Sequence, residues 1–138
     1  MSVYDQVFAR KGDQFIELYS GTFWYHSEEV FGRLPWEKIR ELQVDRCYER
    51  IQESLDKYAE MRRDYARRRE EILEMQGVSL DEKIEELDRI HEVLAEIQET
   101  EEDLTRIRYY LNCWEEIGLP LYIGEECGEA VTVADIEA

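Results

Sequence analysis

The chain has 138 residues and a formal net charge of −17, because 34 Asp and Glu residues outnumber 17 Lys and Arg residues. This length suits one domain with a modest core, and an apolar fraction of 43% is too high for a disordered chain. Since nucleic acids and anionic lipids both carry negative phosphates, the charge excludes a general nucleic-acid-binding protein and disfavours docking on a membrane surface.

Residues 3–23 predict a β-hairpin, because apolar and aromatic side chains alternate with polar ones on both sides of a turn at 10–13. Gly12 lies in that turn, where glycine readily adopts a positive φ. In the second strand, the same alternation places Leu18 and Tyr19 on opposite faces of the sheet.

An aromatic segment and a short helical turn, from Ser27 to near Gly32, follow the hairpin. We expect the aromatic side chains to supply much of the head's core, because few other large apolar groups are available there; they are Phe23, Trp24, Tyr25, Phe31 and Trp36. The alternative is that Trp24 and Tyr25 are exposed and form a hot spot for a protein partner.

Two long helices are predicted next. Over residues 36–76, apolar side chains recur at spacings of three, four and seven, which indicates one face of a helix. Gly77 ends this helix, and the capping box Ser79-Leu-Asp-Glu82 opens a second one that runs to residue 117. A connection this short makes the helices antiparallel. The apolar seam of the second helix is predicted at Ile84, Leu87, Ile90 or His91, Leu94, Ile97, Leu104, Ile107, Leu111 and Trp114.

The tail predicts two more strands, at 121–123 and 129–134, which can pair with the N-terminal hairpin. The predicted fold is therefore α+β in a single domain, 1–138. A long antiparallel two-helix hairpin (36–117) forms a coiled-coil-like stalk. A small antiparallel β-sheet head is formed by the N-terminal hairpin and the C-terminal strands (1–35 and 119–138).

Catalytic and metal-binding patterns are missing from the sequence. Cys47, Cys113 and Cys127 have no metal-ligand spacing, and His26 and His91 are far apart. There is no phosphate-binding glycine loop and no nucleophile elbow. We therefore expect no catalytic residues, no metal, no cofactor and no enzymatic activity. The N-terminus does not resemble a signal peptide and no apolar stretch is long enough to span a membrane, so we expect a cytoplasmic protein.

The negative charge is concentrated in the second half of the chain: residues 77–118 carry −9 and residues 119–138 carry −5. On the second helix, seven carboxylates recur at spacings of three and four and so form a continuous stripe about 33 Å long. They are Asp81, Glu85, Asp88, Glu92, Glu96, Glu99 and Asp103. Such a row, with a charge every 5–6 Å or so, can mimic a nucleic-acid strand toward a basic groove. The alternative is an ordinary solvated helix face.

The first helix carries an opposite feature, an arginine-rich segment at 62–69. Arg62 and Arg69 fall on its apolar face near Tyr65, and His91 of the second helix is expected at the same level. Guanidinium and aromatic groups together can hold a phosphate or a nucleotide base. The alternative is that the arginines pair with carboxylates of the stalk. Several tyrosines on the seam need hydrogen-bond partners, which favours a homodimer or a higher oligomer.

The opening segment 3–20, followed by Leu34-Pro-Trp-Glu-Lys-Ile39 and a charged helical hairpin, resembles small phage and prophage proteins of unassigned role. The resemblance implies a phage-encoded inhibitor of a host defence, acting in the host cytoplasm. Two kinds of inhibitor are known in that setting: anti-CRISPR-like proteins that occupy a nucleic-acid channel, and sponge proteins that sequester a nucleotide signal.

Three functions therefore remain open. The first is a non-enzymatic inhibitor that presents the acidic stripe to a protein partner with a basic groove. The second is a sponge that binds a nucleotide ligand through Arg62, Tyr65, Arg69 and His91. The third is a structural coiled-coil adaptor. None of the three requires a membrane or direct nucleic-acid binding.

Overall fold

A computed structural model describes residues 4–23, 26–128 and 130–137 and has the expected α+β architecture. A four-stranded antiparallel sheet and a short helix form the head, and two long helices form a hairpin. The elements are β1 (Asp5–Lys11), β2 (Gln14–Gly21), α1 (Ser27–Phe31), β3 (Ile39–Glu41), α2 (Val44–Glu74), α3 (Leu80–Glu115) and β4 (Leu121–Glu125). The strand order is β2-β1-β4-β3, so both halves of the chain contribute to the sheet.

The N-terminal hairpin is confirmed, and Gly12 in its turn has a φ of 63°. The pairing shifts between Val7, which is opposite Tyr19, and Phe8, which is opposite Glu17. Leu18 is thus an extra residue, a β-bulge that interrupts the alternation of side chains. Leu18 and Tyr19 consequently both pack against the main core, and the prediction that they lie on opposite faces is wrong.

The first long helix begins later than predicted, at Val44 instead of residue 36. Residues Ile39–Glu41 form β3, in which Ile39 pairs with Gly124 of β4 and is completely buried. Glu37 has a φ of 54°, which an α-helix cannot accommodate. Burial of Ile39 in the sheet therefore overrides the local helical pattern, and the helical hairpin spans residues 44–115.

The connection between the helices agrees in part with its predicted signals: α2 ends at Glu74, before Gly77, and of the two hydrogen bonds of a capping box the one to the Ser79 side chain is present. Gly77 has a φ of 77° just beyond the end of α2. Ser79 is the N-cap of α3, and its Oγ accepts a hydrogen bond from the Glu82 amide at 3.2 Å. The antiparallel arrangement of the two helices is confirmed. At the head end, Tyr48 Oη donates to Asn112 Oδ1 at 2.5 Å, which joins the start of α2 to the end of α3.

The main core lies where the helices meet the sheet. The seam of α3 passes through Ile90 and not His91, whose side chain is exposed. Ile84, which was predicted on the seam, is also exposed. Trp114 is the last buried residue of the seam and lies next to the head. Its ring stacks on that of Tyr110, with the ring centroids 5.7 Å apart. The buried residues of α3 are Ile90, Ile97, Leu104, Ile107, Leu111 and Trp114.

The second C-terminal strand, predicted at 129–134, is not present in the described residues 130–134. Val133–Asp135 instead form a 3₁₀ turn, because the Asp135 carboxylate accepts hydrogen bonds from the backbone and the side chain of Thr132. β4 already pairs with β1 and β3, so the tail reaches only the outer edge of β3. There it makes a single parallel bridge, between Ile39 and Ile136. Glu129, the first residue of the predicted strand, lies outside the described residues.

Asp5 is a buried carboxylate on β1 and is expected to make stability depend on pH. Desolvation raises its pKa to about 6, although the Phe23 amide donates to Asp5 Oδ2 at 3.3 Å; Glu125 also raises this pKa. Because the pKa of Asp5 is higher in the folded state, protonation of Asp5 stabilises the fold. This contribution to the free energy of unfolding is fully present below about pH 4 and is lost as the pH rises through 6. At neutral pH, Asp5→Asn should therefore raise the free energy of unfolding by about 3 kcal/mol relative to the native chain. The variant should accordingly unfold at a higher denaturant concentration.

The control for this prediction is Asp13→Asn, which removes the same charge from an exposed turn position. Chemical denaturation of the three chains between about pH 4 and pH 7.5 measures the effect. An Asp5→Asn chain whose stability advantage over the native chain does not grow with pH would contradict it.

Candidate functional site

The acidic row is the set of seven α3 carboxylates predicted above: Asp81, Glu85, Asp88, Glu92, Glu96, Glu99 and Asp103. All except Asp103 are exposed on α3. Five of them, at 81, 88, 92, 96 and 99, have no Lys, Arg or His nitrogen within 4 Å among the described residues. At the helical rise these five span about 27 Å.

The direction of the row follows from helix geometry. Each residue advances about 100° around the axis, so Asp88 and Glu92 lie roughly 160° from Ile90, which is buried in the seam. The row therefore faces away from α2 over the outer half of the stalk. Because the helix that carries it is 36 residues long and packed along its seam, the carboxylates keep a fixed spacing.

Two members of the row differ from the others. The Asp103 side chain is 14% exposed and lies 3.7 Å from Nε2 of His26, the residue that precedes α1. Glu85 accepts from Arg89, one turn later on α3, at 2.9 Å. Asp103 is thus part of the contact between head and stalk, and Glu85 is partly neutralised by its own helix. The free part of the row ends at Glu99.

The arginine-rich segment of α2 is used partly within the stalk. Arg62 forms a 2.6 Å ion pair with Glu101, and Arg68 lies 3.6 Å from Glu86. These pairs agree with the alternative interpretation, in which arginines of this segment pair with carboxylates of the stalk. Both pairs cross from α2 to α3, so they fix the two helices against each other at the surface.

The structure does not gather the four predicted ligand-binding residues at one cavity. Tyr65 lines an open groove on α2, and Arg62 lines a different groove with Glu101 and Tyr109. Arg69 is half-buried and His91 is exposed on α3. A nucleotide site built from these residues would therefore need a rearrangement or a second protomer, and it stays a prediction.

A cavity that the sequence did not predict lies between the head and the first turns of α2. It measures about 310 Å³ and is lined by four arginines, Arg33, Arg40, Arg46 and Arg50. Among the described residues, Glu41 is the one carboxylate in its lining, and the other lining residues are Phe31, Gly32, Leu42, Gln43 and Cys47. We call it the arginine cavity. Its concentration of positive charge is unusual in a chain with a net charge of −17.

The four arginines come from three different elements, which is why the sequence did not reveal them as a group. Arg33 follows α1, Arg40 lies in β3, and Arg46 and Arg50 lie one turn apart on α2. Only the last two have a spacing that places them on one helix face. The unexpected strand β3 is the element that adds Arg40.

All three cysteines are free thiols, and burial raises the pKa of Cys47 to about 11, so this thiol stays protonated at neutral pH. Among residues 4–23, 26–128 and 130–137, no group of three or more His, Cys, Asp or Glu side chains could hold a metal ion. No helix in that part of the chain is long and apolar enough to cross a membrane.

No family model, curated protein or solved structure matches this chain. Functional conclusions therefore come from its own surfaces.

Part of the expected aromatic core is confirmed: Phe23 and Phe31 are buried, with ring centroids 4.8 Å apart. Trp36 is exposed and does not belong to it. Trp24 and Tyr25, predicted either as core or as a hot spot, lie outside the described residues. Tyr48, one of the seam tyrosines for which a second protomer was expected to supply a hydrogen-bond partner, has its partners within the chain, at Asn112 and Glu115. The oligomeric state stays a prediction.

Proposed function

We propose that this protein is a non-enzymatic interaction protein that presents the acidic row of α3 to a basic groove on a protein partner. The observation that carries the proposal is the run of five exposed carboxylates, from Asp81 to Glu99, without cationic partners in the described part of the chain. Surface carboxylates of ordinary helices are commonly interleaved with lysines and arginines at neighbouring turns. Here the side that faces away from α2 carries one sign of charge over about 27 Å.

Rigidity supports the proposal. A flexible acidic tail would have to be ordered on binding, whereas the row is fixed on a helix packed by Ile90 and Ile97 against α2. Preorganised charge costs less conformational entropy when a complex forms. The row has about one charge every 5–6 Å, a lower density than duplex DNA, so the matching groove needs several lysines or arginines along a line.

The acidic row would compete with nucleic acid for the basic groove of the partner. A basic groove that binds DNA or RNA and is filled by the acidic row cannot bind nucleic acid at the same time, so the protein would act as an inhibitor. Its charge would also accelerate association with a positively charged surface at low salt. The resemblance to small phage and prophage proteins implies that the protein is phage-encoded and acts as an anti-CRISPR-like inhibitor of a host defence.

The two other functions have less support. A nucleotide sponge through Arg62 and Tyr65 is disfavoured because Arg62 is engaged by Glu101 and the two residues line separate grooves. A structural adaptor explains the hairpin but gives no reason for five exposed carboxylates of the acidic row that lack cationic partners in the described part of the chain.

The test compares the native chain with Glu92→Lys/Glu96→Lys, which places two positive charges in the middle of the row. Each chain is immobilised, and proteins captured from a bacterial lysate are compared at about 50 mM and about 300 mM salt. We expect capture by the native chain at low salt, loss of capture at high salt, and at least a tenfold loss in the variant. Addition of a DNA or RNA oligonucleotide should release the captured protein, because it competes for the same groove.

Glu53→Lys/Glu60→Lys is the matched control, since both residues are exposed on α2 and the change in net charge is identical. This control should capture the same proteins as the native chain. Circular dichroism and thermal melting establish that all three chains are folded. Undiminished capture by the row variant, or release by neither salt nor oligonucleotide, would contradict the proposal.

A further inference from the structure

We propose that the arginine cavity is a binding site for a small phosphate-bearing anion with two linked phosphate groups, either free or as the diphosphate of a nucleotide. The proposal concerns the head and is independent of the acidic row. It rests on the four guanidinium groups that line one concave site of about 310 Å³, a volume at the lower end of known small-ligand pockets.

Two of the arginines are held in place by backbone carbonyls. Arg50 Nη1 donates to the Val30 carbonyl at 3.3 Å, and Arg40 Nη2 donates to the Phe31 carbonyl. Both guanidiniums lie against Gly32, where a Cβ would be 3.3 Å from Arg50 Nη1 and 3.5 Å from Arg40 Nη2. Each guanidinium has five N–H donors, so donors remain for a ligand after these bonds. The carbonyls therefore fix the two cations at the cavity in advance of binding.

The other two arginines are free to adjust. Arg33 is exposed and has no carboxylate within 4 Å among the described residues. Arg46 pairs with Glu49, at 3.0 Å, and both side chains are more than half exposed. Such a surface pair contributes little and is easily exchanged for another anion. Two fixed and two mobile guanidiniums together can surround a diphosphate with charge-assisted hydrogen bonds.

The local charge favours an anion despite the acidic chain. The lining residues within the described part of the chain include four arginines and one carboxylate, Glu41. An adjoining cavity shares Arg33 and Arg40 but has three carboxylates, so the anion is expected on the side of Arg46 and Arg50. The first turn of α2 also forms part of the wall, and its dipole adds to the positive field.

The acidic row is too distant to cancel this field. Tyr48 contacts Asn112, which places the first turns of α2 beside that part of α3. Glu99, the nearest free member of the row, is 13 residues earlier on α3, about 20 Å at the helical rise. At physiological salt this distance exceeds two Debye lengths of roughly 8 Å, so the attraction at the cavity is local.

The test is calorimetric titration of the full chain with pyrophosphate, with ADP and with orthophosphate. We expect pyrophosphate to bind, orthophosphate to bind at least tenfold more weakly because it engages fewer guanidiniums, and ADP to bind at least as tightly as pyrophosphate. Equal affinity for ADP and pyrophosphate identifies the phosphates alone as the recognised group, whereas tighter binding of ADP identifies a nucleotide.

The variant is Arg33→Gln/Arg46→Gln, which leaves the two arginines that bind backbone carbonyls unchanged. It should bind pyrophosphate at least tenfold more weakly than the native chain. Arg63→Gln/Arg67→Gln, with the same change in net charge at exposed positions of α2, should bind normally. Glu92→Lys/Glu96→Lys should also bind normally, which separates this site from the proposed function. No binding of pyrophosphate by the native chain, or equal weakening in both arginine variants, would overturn the proposal.

Discussion

Trp114→Ala is expected to lower the free energy of unfolding by about 3–5 kcal/mol, which is a large fraction of the stability of a domain of this size. Trp114 is 5% exposed and lies at the point where α3 enters the head. Its ring stacks on Tyr110 and also contacts Tyr19 and Phe23, with centroid distances of 5.9 Å and 6.2 Å. Removal of the indole leaves a void between β2 and α3 that these rings cannot fill.

Chemical denaturation measures this change, and a decrease in Tm of roughly 10–15 °C should accompany it. Trp36→Ala is the matched control, because Trp36 is 52% exposed and the same side chain is deleted. We expect that control to change stability by less than about 1 kcal/mol. Similar losses in the two variants would mean that Trp114 is not the central contact between head and stalk.

Gly124→Ala is expected to destabilise the fold by about 3 kcal/mol or more, through overpacking of a fixed backbone. Gly124 lies in β4 and pairs with Gln6 of β1 on one side and Ile39 of β3 on the other. A Cβ at this position would overlap the Lys38 carbonyl oxygen and lie 2.6 Å from Cys127 Sγ. Because the obstructing atom belongs to the backbone, the chain can relieve the overlap only by separating β3 from β4.

Gly77→Ala is the comparison for this second prediction. Gly77 has a positive φ of 77°, but a Cβ there would have no atom within 4 Å. Its substitution should therefore cost only the left-handed backbone strain, about 1 kcal/mol. The midpoints of denaturation should fall in the order native, Gly77→Ala, Gly124→Ala. A Gly124→Ala chain as stable as Gly77→Ala would show that β3 does not pair tightly with β4.

The elements that the sequence predicted correctly are those with local causes. Gly12 and Gly77 both adopt positive φ at the turns where glycine was expected, and the Ser79 hydroxyl caps α3. Over most of α3, the periodic spacing of apolar and acidic residues likewise separates a buried seam from an exposed row; Ile84, which is exposed, and Asp103, which is not, are exceptions. For these features neighbouring residues supply the whole physical reason.

The elements that the sequence missed depend on distant contacts. Ile39 belongs to a strand because Gly124, near the other end of the chain, pairs with it. Asp103 is half-buried because His26 of the head covers it, although its spacing is that of an exposed residue. For Arg62 the sequence left two alternatives open, a ligand contact or a stalk contact, and the ion pair with Glu101 of the opposite helix favours the second.

Periodicity and the preferences of glycine and capping residues are sufficient to predict the two-helix hairpin, the N-terminal β-hairpin and the acidic row. Which charges of the row and of the arginine-rich segment are paired depends largely on contacts between elements that are distant in the sequence. The tertiary structure also assembled the arginine cavity, because α1, β3 and α2 come together only when β4 pairs with both β1 and β3. The sign of each side-chain charge is known from the sequence, but its ion-pair partners and its exposure to solvent depend on the fold.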